Sequence, residues 1–512
     1  MTRTIKNVDA HRWIVPIRVF SLCAISLSVA ESPAWAQCEP VWSMIPHTGL
    51  ASALTVFDED GDGPTPPMLF VGGGIQDIGM ERPQGGVFGV AVNNVARLDG
   101  WNWYPAGEGL GIPPVAGTVV RSLFGSDEGS HPELRGVFAG GSTFHLWNPS
   151  LRRVARWTGV EWVDVGGGAD SEPRSFVLYD EPGRGPVLMA GAFYRLNNGV
   201  PEVFGVGRWD GVEWTMVGDG LWSSTPGRTG AGHAVAIFDE DGPGGKPPLL
   251  FVGGSFRYAG NVEVANFARW DGDNWSAVGG FGVPGSGVRA MCVFDDGHGP
   301  QLYVGGSFSN VGGPPGQWIN AYRLARWDGK QWSEVPGWGI AGGQVLAMTV
   351  WDDDGPGPNK PALFVAGSFW NIPNIPGSWN LVKWDGERWY AMPGGVGPPG
   401  PGGYVESLQV FDEDGDGPNP GGLYVAGQFL YAGGQIANGL ARWGCPLTPP
   451  CMADCDFSTG FGTLDVFDFL CFLNRFHAGA PYACDCDVST GHGVCDIFDF
   501  LCYGQRFQAG CP

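Results

Sequence analysis

The chain has 512 residues, 87 of them glycine and 42 proline, and a formal net charge of −23. That acidic balance argues against nucleic acid or an anionic membrane surface as partner. So much glycine and proline would suit a disordered segment, but 23 Trp and 30 Phe at regular intervals supply a large core, so the glycines read as turns and the class as all-β.

At the N-terminus a basic stretch (Arg3, Lys6, Arg12, Arg18) precedes an apolar run from Val19 to Ala30 and the small-residue site Ala34-Trp35-Ala36. This reads as a signal peptide over residues 1–36, cleaved before Gln37. No other apolar run approaches the ~20 residues of a membrane span. The expectation is a secreted protein, extracellular or at the cell surface, in an oxidising compartment where disulfides persist. Of 12 cysteines, nine crowd between Cys445 and Cys511; beyond the signal, only Cys38 and Cys292 lie elsewhere. The composition therefore divides near residue 445.

Between residues 37 and 445 the chain repeats itself. A segment of type FVGGSF starts at Phe70, Phe138, Leu188, Phe251, Tyr303, Phe364 and Tyr424. A segment of type ARWDG follows each, its basic residue at Arg97, Arg156, Arg208, Arg269, Arg326, Lys383 and Arg442, 52 to 61 residues apart. Each unit reads as four short strands: one ending in an acidic turn, then LFVGG, ARWDG and xxWxxV. The fourth carries Trp103, Trp162, Trp214, Trp275, Trp332 or Trp389. The Asp-Gly pair between strands three and four predicts a two-residue type I′ hairpin, and the double glycine predicts a bend that no side chain tolerates.

Seven third strands have only six fourth strands after them. The orphan is at the other end, in CEPVWSMIPHTGL (Cys38–Leu50), where Trp42 holds the tryptophan position. An N-terminal strand would thus complete the seventh unit and remove the open edges. In this register Cys38 lies beside Cys445, so a disulfide would lock the closure.

The double glycine, the aromatic-then-Asp strand and the later Trp resemble kelch repeats, which implies a seven-bladed β-propeller with about fifty residues per blade. The turns DEDGDGP at Asp58 and Asp412 also resemble, more distantly, FG-GAP calcium loops. The resemblance speaks for architecture rather than activity.

In such a blade the loops after strands one and three share one face, and those after strands two and four the other. The first face collects acids, with Asp58, Asp60, Asp62 and Asp412, Asp414, Asp416 spaced as weak calcium ligands or as plain turn formers. The second collects aromatics outside the repeat: Trp147, Trp222, Trp318, Trp338, Trp370 and Trp379. These read as a ligand platform or as local packing. No catalytic residue is assigned. The histidines (His47, His131, His145, His233, His298) lack paired ligand spacing, and Cys292 sits in an apolar strand where inert packing is expected.

Residues 446–512 contain a duplication, DCDFSTGFGTLDVFDFLCFLNRF from Asp454 and DCDVSTGHGVCDIFDFLCYGQRF from Asp485. It resembles a small, disulfide-rich, α-helical dockerin domain of the planctomycete variety ending in Gly-Cys, with two EF-hand-like loops. By that resemblance calcium is the cofactor, held by Asp454, Asp456, Ser458, Asp465 and Asp468, then by Asp485, Asp487, Ser489, Asp496 and Asp499. The loops are three residues longer than the usual twelve, and a disulfide knot without calcium is the alternative. The resemblance also implies a cohesin-like or cell-envelope partner.

The functional expectation is a secreted, non-catalytic recognition protein whose propeller binds a glycan or a protein. A secreted carbohydrate-active enzyme, a glycoside hydrolase or oxidase with a dockerin appendage, is the alternative.

Overall fold

The computed structural model describes residues 40–446, apart from loop segments of which the longer are 79–89, 112–118, 143–151, 197–202 and 414–420. The expected signal peptide, Cys38 and the dockerin-like region with all its candidate calcium ligands lie outside the described residues.

All regular structure among the described residues is β. Six four-stranded antiparallel sheets are simple meanders along the chain, the first built from Ala51–Phe57, Met68–Gly73, Val95–Leu98 and Trp103–Pro105. A seventh combines Tyr404–Phe411, Gly422–Gln428 and Leu440–Gly444 with Val41–Met44 from the other end of the chain. That pairing is antiparallel, Trp42 facing Trp443 and Met44 facing Ala441, as the strand count required.

The first strands of the seven sheets touch in cyclic order, and those of the first and seventh sheets meet. They therefore line a common axis. Apolar side chains fill every interface between successive sheets. The closing interface packs Leu54, Val71 and Leu98 of the first sheet on Phe411, Tyr424 and Leu440 of the seventh. The result is a closed, radial, propeller-like all-β fold.

Tryptophans fasten neighbouring sheets. Within a sheet, the third- and fourth-strand rings pair at 5.3–5.6 Å in Trp157–Trp162, Trp209–Trp214, Trp270–Trp275 and Trp327–Trp332. The fourth-strand indole N–H then donates to a carbonyl of the preceding sheet, from Trp214 to Val165 and from Trp275 to Val217, both at 3.0 Å. Trp42 does the same to Pro393 at 2.8 Å, so the N-terminal strand is held like any other. The glycines after strand four make room for these rings. A Cβ on Gly279 (φ +60°) would lie 2.3 Å from Trp332.

The hairpin between strands three and four differs from the expected Asp-Gly type I′ turn. Asp271 N–H donates to the Asn274 carbonyl, so the central residues are Gly272 and Asp273. Of the two, only Gly272 has a positive φ, the type II′ pattern. The aspartate sits one place earlier, its Oδ1 accepting the N–H groups of Asp273 and Asn274 at 2.9 and 2.7 Å.

Candidate functional site

The acids of the first face are largely occupied by the fold. In six sheets the second residue after the aromatic that ends strand one is an acid, and it pairs with the basic residue of strand three. The pairs are Glu59–Arg97, Glu181–Arg208, Glu240–Arg269, Asp296–Arg326, Asp353–Lys383 and Glu413–Arg442. Three of these carboxylates also reach the next sheet, where Glu59 accepts from Trp157, Glu181 from Trp270 at 3.1 Å and Glu240 from Trp327 at 2.6 Å. In the second sheet the equivalent acid, Glu128, turns away: its Oε1 accepts the N–H of Ser130 at 2.9 Å and lies 3.4 Å from His131 Nδ1. There Arg156 turns to the carbonyls of Pro132 and Arg135, and Trp209 Nε1 is buried with no hydrogen-bond partner.

Of the candidate calcium ligands on this face, Asp62, Asp414 and Asp416 lie outside the described residues. Asp58 caps its own turn, Oδ1 accepting the N–H groups of Asp60 and Gly61 at 3.2 and 2.9 Å. Asp60 belongs to that turn, and Asp412 directly follows the first strand of the seventh sheet. The carboxylates of Asp58 and Glu59 thus both accept from protein donors. Among the described residues, no group of three His, Cys, Asp or Glu side chains is placed to hold a metal.

A cleft of about 510 Å³ opens on this face at the sixth sheet, lined in part by Asp353, Lys383, Asp385, Tyr390 and Trp443. Two of its acids are committed: both oxygens of Asp353 accept from Lys383 at 2.6 Å, and Asp385 takes the hydroxyl of Tyr390 and two backbone N–H groups.

The opposite face carries an apolar patch. Trp318 and Trp370 are 42% and 37% exposed, and Ile319, Tyr322, Leu430, Tyr431 and Ile436 join them on the loops between strands two and three of the fifth to seventh sheets. The other candidate tryptophans divide. Trp338 stacks on Trp389 and Phe369 and donates to the Tyr322 carbonyl at 2.8 Å, so it supports the loop that presents Tyr322. Trp222 is half-buried against Phe204, in a small accessory sheet of Leu221–Ser224, Arg228–Thr229, Tyr258–Ala259 and Val262–Glu263. Trp379 is half-buried beside Gly395, and Trp147 lies outside the described residues. Attention to aromatics alone missed the aliphatic members of the patch, Ile319, Leu430 and Ile436.

Cys292 is a free thiol, and burial pushes its pKa up to about 12. Cys445 is disulfide-bonded, to a cysteine outside the described residues.

Fold and faces define an all-β, propeller-like protein. No family profile and no curated protein matches the chain. Among solved structures it is similar to an extracellular domain from B. thetaiotaomicron assigned to a one-component system, at 8% identity and a TM-score of 0.41. The match spans 78% of this chain but 39% of that one. It is also similar to BBS1N, solved in complex with ARL6DN, at 11% identity and a TM-score of 0.40, over 80% of this chain and 98% of the other. No helix among the described residues is long and apolar enough to cross a membrane.

Proposed function

We propose that the chain is a secreted, non-catalytic recognition protein. In this reading the kelch-like ring binds a glycan or protein ligand on its aromatic face, and the dockerin-like tail anchors it through calcium. The observation that carries the proposal is a division of labour among tryptophans. Those of the repeat are packed between sheets with most of their N–H groups bonded, whereas Trp318 and Trp370 stand exposed beside further apolar side chains on one face. Exposed apolar patches of this kind mark interaction sites, and flat indoles suit sugar rings. A glycan-array and hydrolysis screen of the full chain tests it. Binding without turnover, reduced at least tenfold by Trp318→Ala with Trp370→Ala, is the expected result. Hydrolysis of a bound glycan would favour the enzyme reading.

For the tail, the alternating acids Asp454/Asp456 and Asp485/Asp487 support calcium-dependent order. Calorimetry should record heat on calcium addition and a lower melting temperature with chelator. The disulfide of Cys445 is proposed to be with Cys38, which peptide mapping without reduction decides.

A further inference from the structure

The double glycine of the repeat marks more than a bend. In all seven sheets the pairing of strands one and two slips at the same place, opposite that motif. The slips fall between Ala51/Ala53, Val120/Ser122, Pro173/Ser175, Gly232/Ala234, Val288/Ala290, Val345/Ala347 and Val405/Ser407. The glycines do not need a positive φ here; they are needed because the strands come too close. A Cβ on Gly73 would lie 2.0 Å from the Leu50 carbonyl oxygen, and one on Gly254 1.9 Å from that of Ala231. Each slip leaves one residue unpaired, and a bulge re-aims the side chain it carries. The seven residues are Ser52, Arg121, Arg174, His233, Arg289, Leu346 and Glu406.

Their direction follows from whom they meet. Arg121 belongs to the second sheet and Glu406 to the seventh, with the first sheet between them, yet Nη1 of one is 3.8 Å from Oε1 of the other. Arg289 of the fifth sheet and Arg174 of the third interact electrostatically past the fourth. Side chains that meet past an intervening sheet meet over the axis. The seven bulges therefore ring the central channel, near the start of each innermost strand and so toward the aromatic face.

The ring is unbalanced in charge. Arg121 shares Glu406, and Arg174 is 2.9 Å from Glu172. Arg289 has no carboxylate within salt-bridge distance among the described residues, and its buried Nε has no hydrogen-bond partner. Arg121 Nε is in the same condition. Three guanidiniums against two carboxylates leave a positive spot inside a chain of net charge −23. Half-buried charges are ordinarily paired, and a guanidinium fork matches a carboxylate or sulfate.

We propose that the mouth of the central channel is an anion-binding site taking a carboxylate or sulfate group, with Arg289 and Arg174 as donors and Arg121 held in reserve by Glu406. It is a site separate from the exposed aromatic patch and does not depend on that reading. The test is titration calorimetry of the full chain at low salt with sodium sulfate, glucuronate and glucose, the last two differing only in the carboxylate. Sulfate, glucuronate or both should bind, glucose should not, and Arg289→Gln should weaken binding about tenfold, the loss of one charge-assisted contact. The same variant, measured without ligand, should melt no lower than wild type, because it removes an uncompensated cation. Trp318→Ala with Trp370→Ala should leave anion binding intact, which separates failure here from failure of the aromatic face. Absence of binding by both anions, equal binding of glucose, or anion binding unchanged in Arg289→Gln would overturn the proposal.

Discussion

Trp270 of the fourth sheet donates its indole N–H to Oε1 of Glu181 at 3.1 Å, while Oε2 of that carboxylate takes Arg208 of the third sheet at 2.7 Å. One buried carboxylate thus joins two sheets, and Arg184 adds a second cation at 3.5 Å. Glu181→Gln removes the charge but keeps the shape. It should cost roughly 2–3 kcal/mol, toward the lower end for a broken buried pair because Arg208 stays partly exposed. Arg156→Gln, in the sheet whose arginine meets carbonyls instead of a carboxylate, should cost about 1.5 kcal/mol or less, the low end for hydrogen bonds to a charged group at a half-exposed site. Paired urea titrations of the two variants measure the contrast, and equal losses would refute the clamp.

Trp42 should matter as much as any internal tryptophan. It is buried, stacks on Trp443 at 5.3 Å and bonds to Pro393. Trp42→Ala should cost about 3–5 kcal/mol, as for large aromatic truncations in a core. Trp332→Ala is the internal reference, and thermal melts of the two should shift alike.

His233 gives a pH dependence. Burial first, then the guanidiniums of Arg289 and Arg174, push its pKa down to about 3. Its Nε2 lies 3.2 Å from Ser255 Oγ. The unfolded chain, with a value near ~6.5, binds the proton more readily. The neutral histidine's contribution is therefore complete above that pH and declines as pH falls toward 3, by about 1.4 kcal/mol per unit. Between pH 7 and 4.5 wild type should lose roughly 2 kcal/mol more than His233→Gln; parallel melting curves would refute the assignment.

Cys292 should resist thiol reagents. With its pKa near 12 the thiolate is scarce at pH 8. A disulfide-exchange reagent should label it only after denaturation, and rapid labelling of the native protein would contradict the packing described.

Much of the ring was legible because the repeat writes its packing into composition. The orphan Trp42 could be assigned to a strand from counting alone, since a closed ring needs equal numbers of each strand. The acidic turns were harder. Asp58 and Asp60 alternate like calcium ligands, but their spacing does not say that the acid between them, Glu59, faces a guanidinium. A signal was present: the sheets whose Arg or Lys finds a carboxylate carry an acid two residues past an aromatic, whereas the second repeat has Ser126 in the aromatic's place before its own acid, Glu128. The bulges were hidden for another reason. Gly72 and Gly73 announce close approach, yet nothing local tells that the residue re-aimed is Ser52 on the strand before. The hairpin slipped by one place because Asp210 and its equivalents act through their side chains, which propensity for positive φ does not capture.

The seam in the seventh sheet has a bearing on how the molecule comes to be made. Val41 and Gly444 are partners although about 400 residues separate them. During synthesis the first strand emerges long before its mate exists, and must stay solvated with its ladder groups unpaired until the last repeat appears. Contacts that close such a span are slow to form, so six sheets would assemble as an open arc whose two raw edges invite pairing with another arc. Assembly is thus timed by the last repeat, and a ribosome that stops before it releases a product with sound individual sheets and no finished circle.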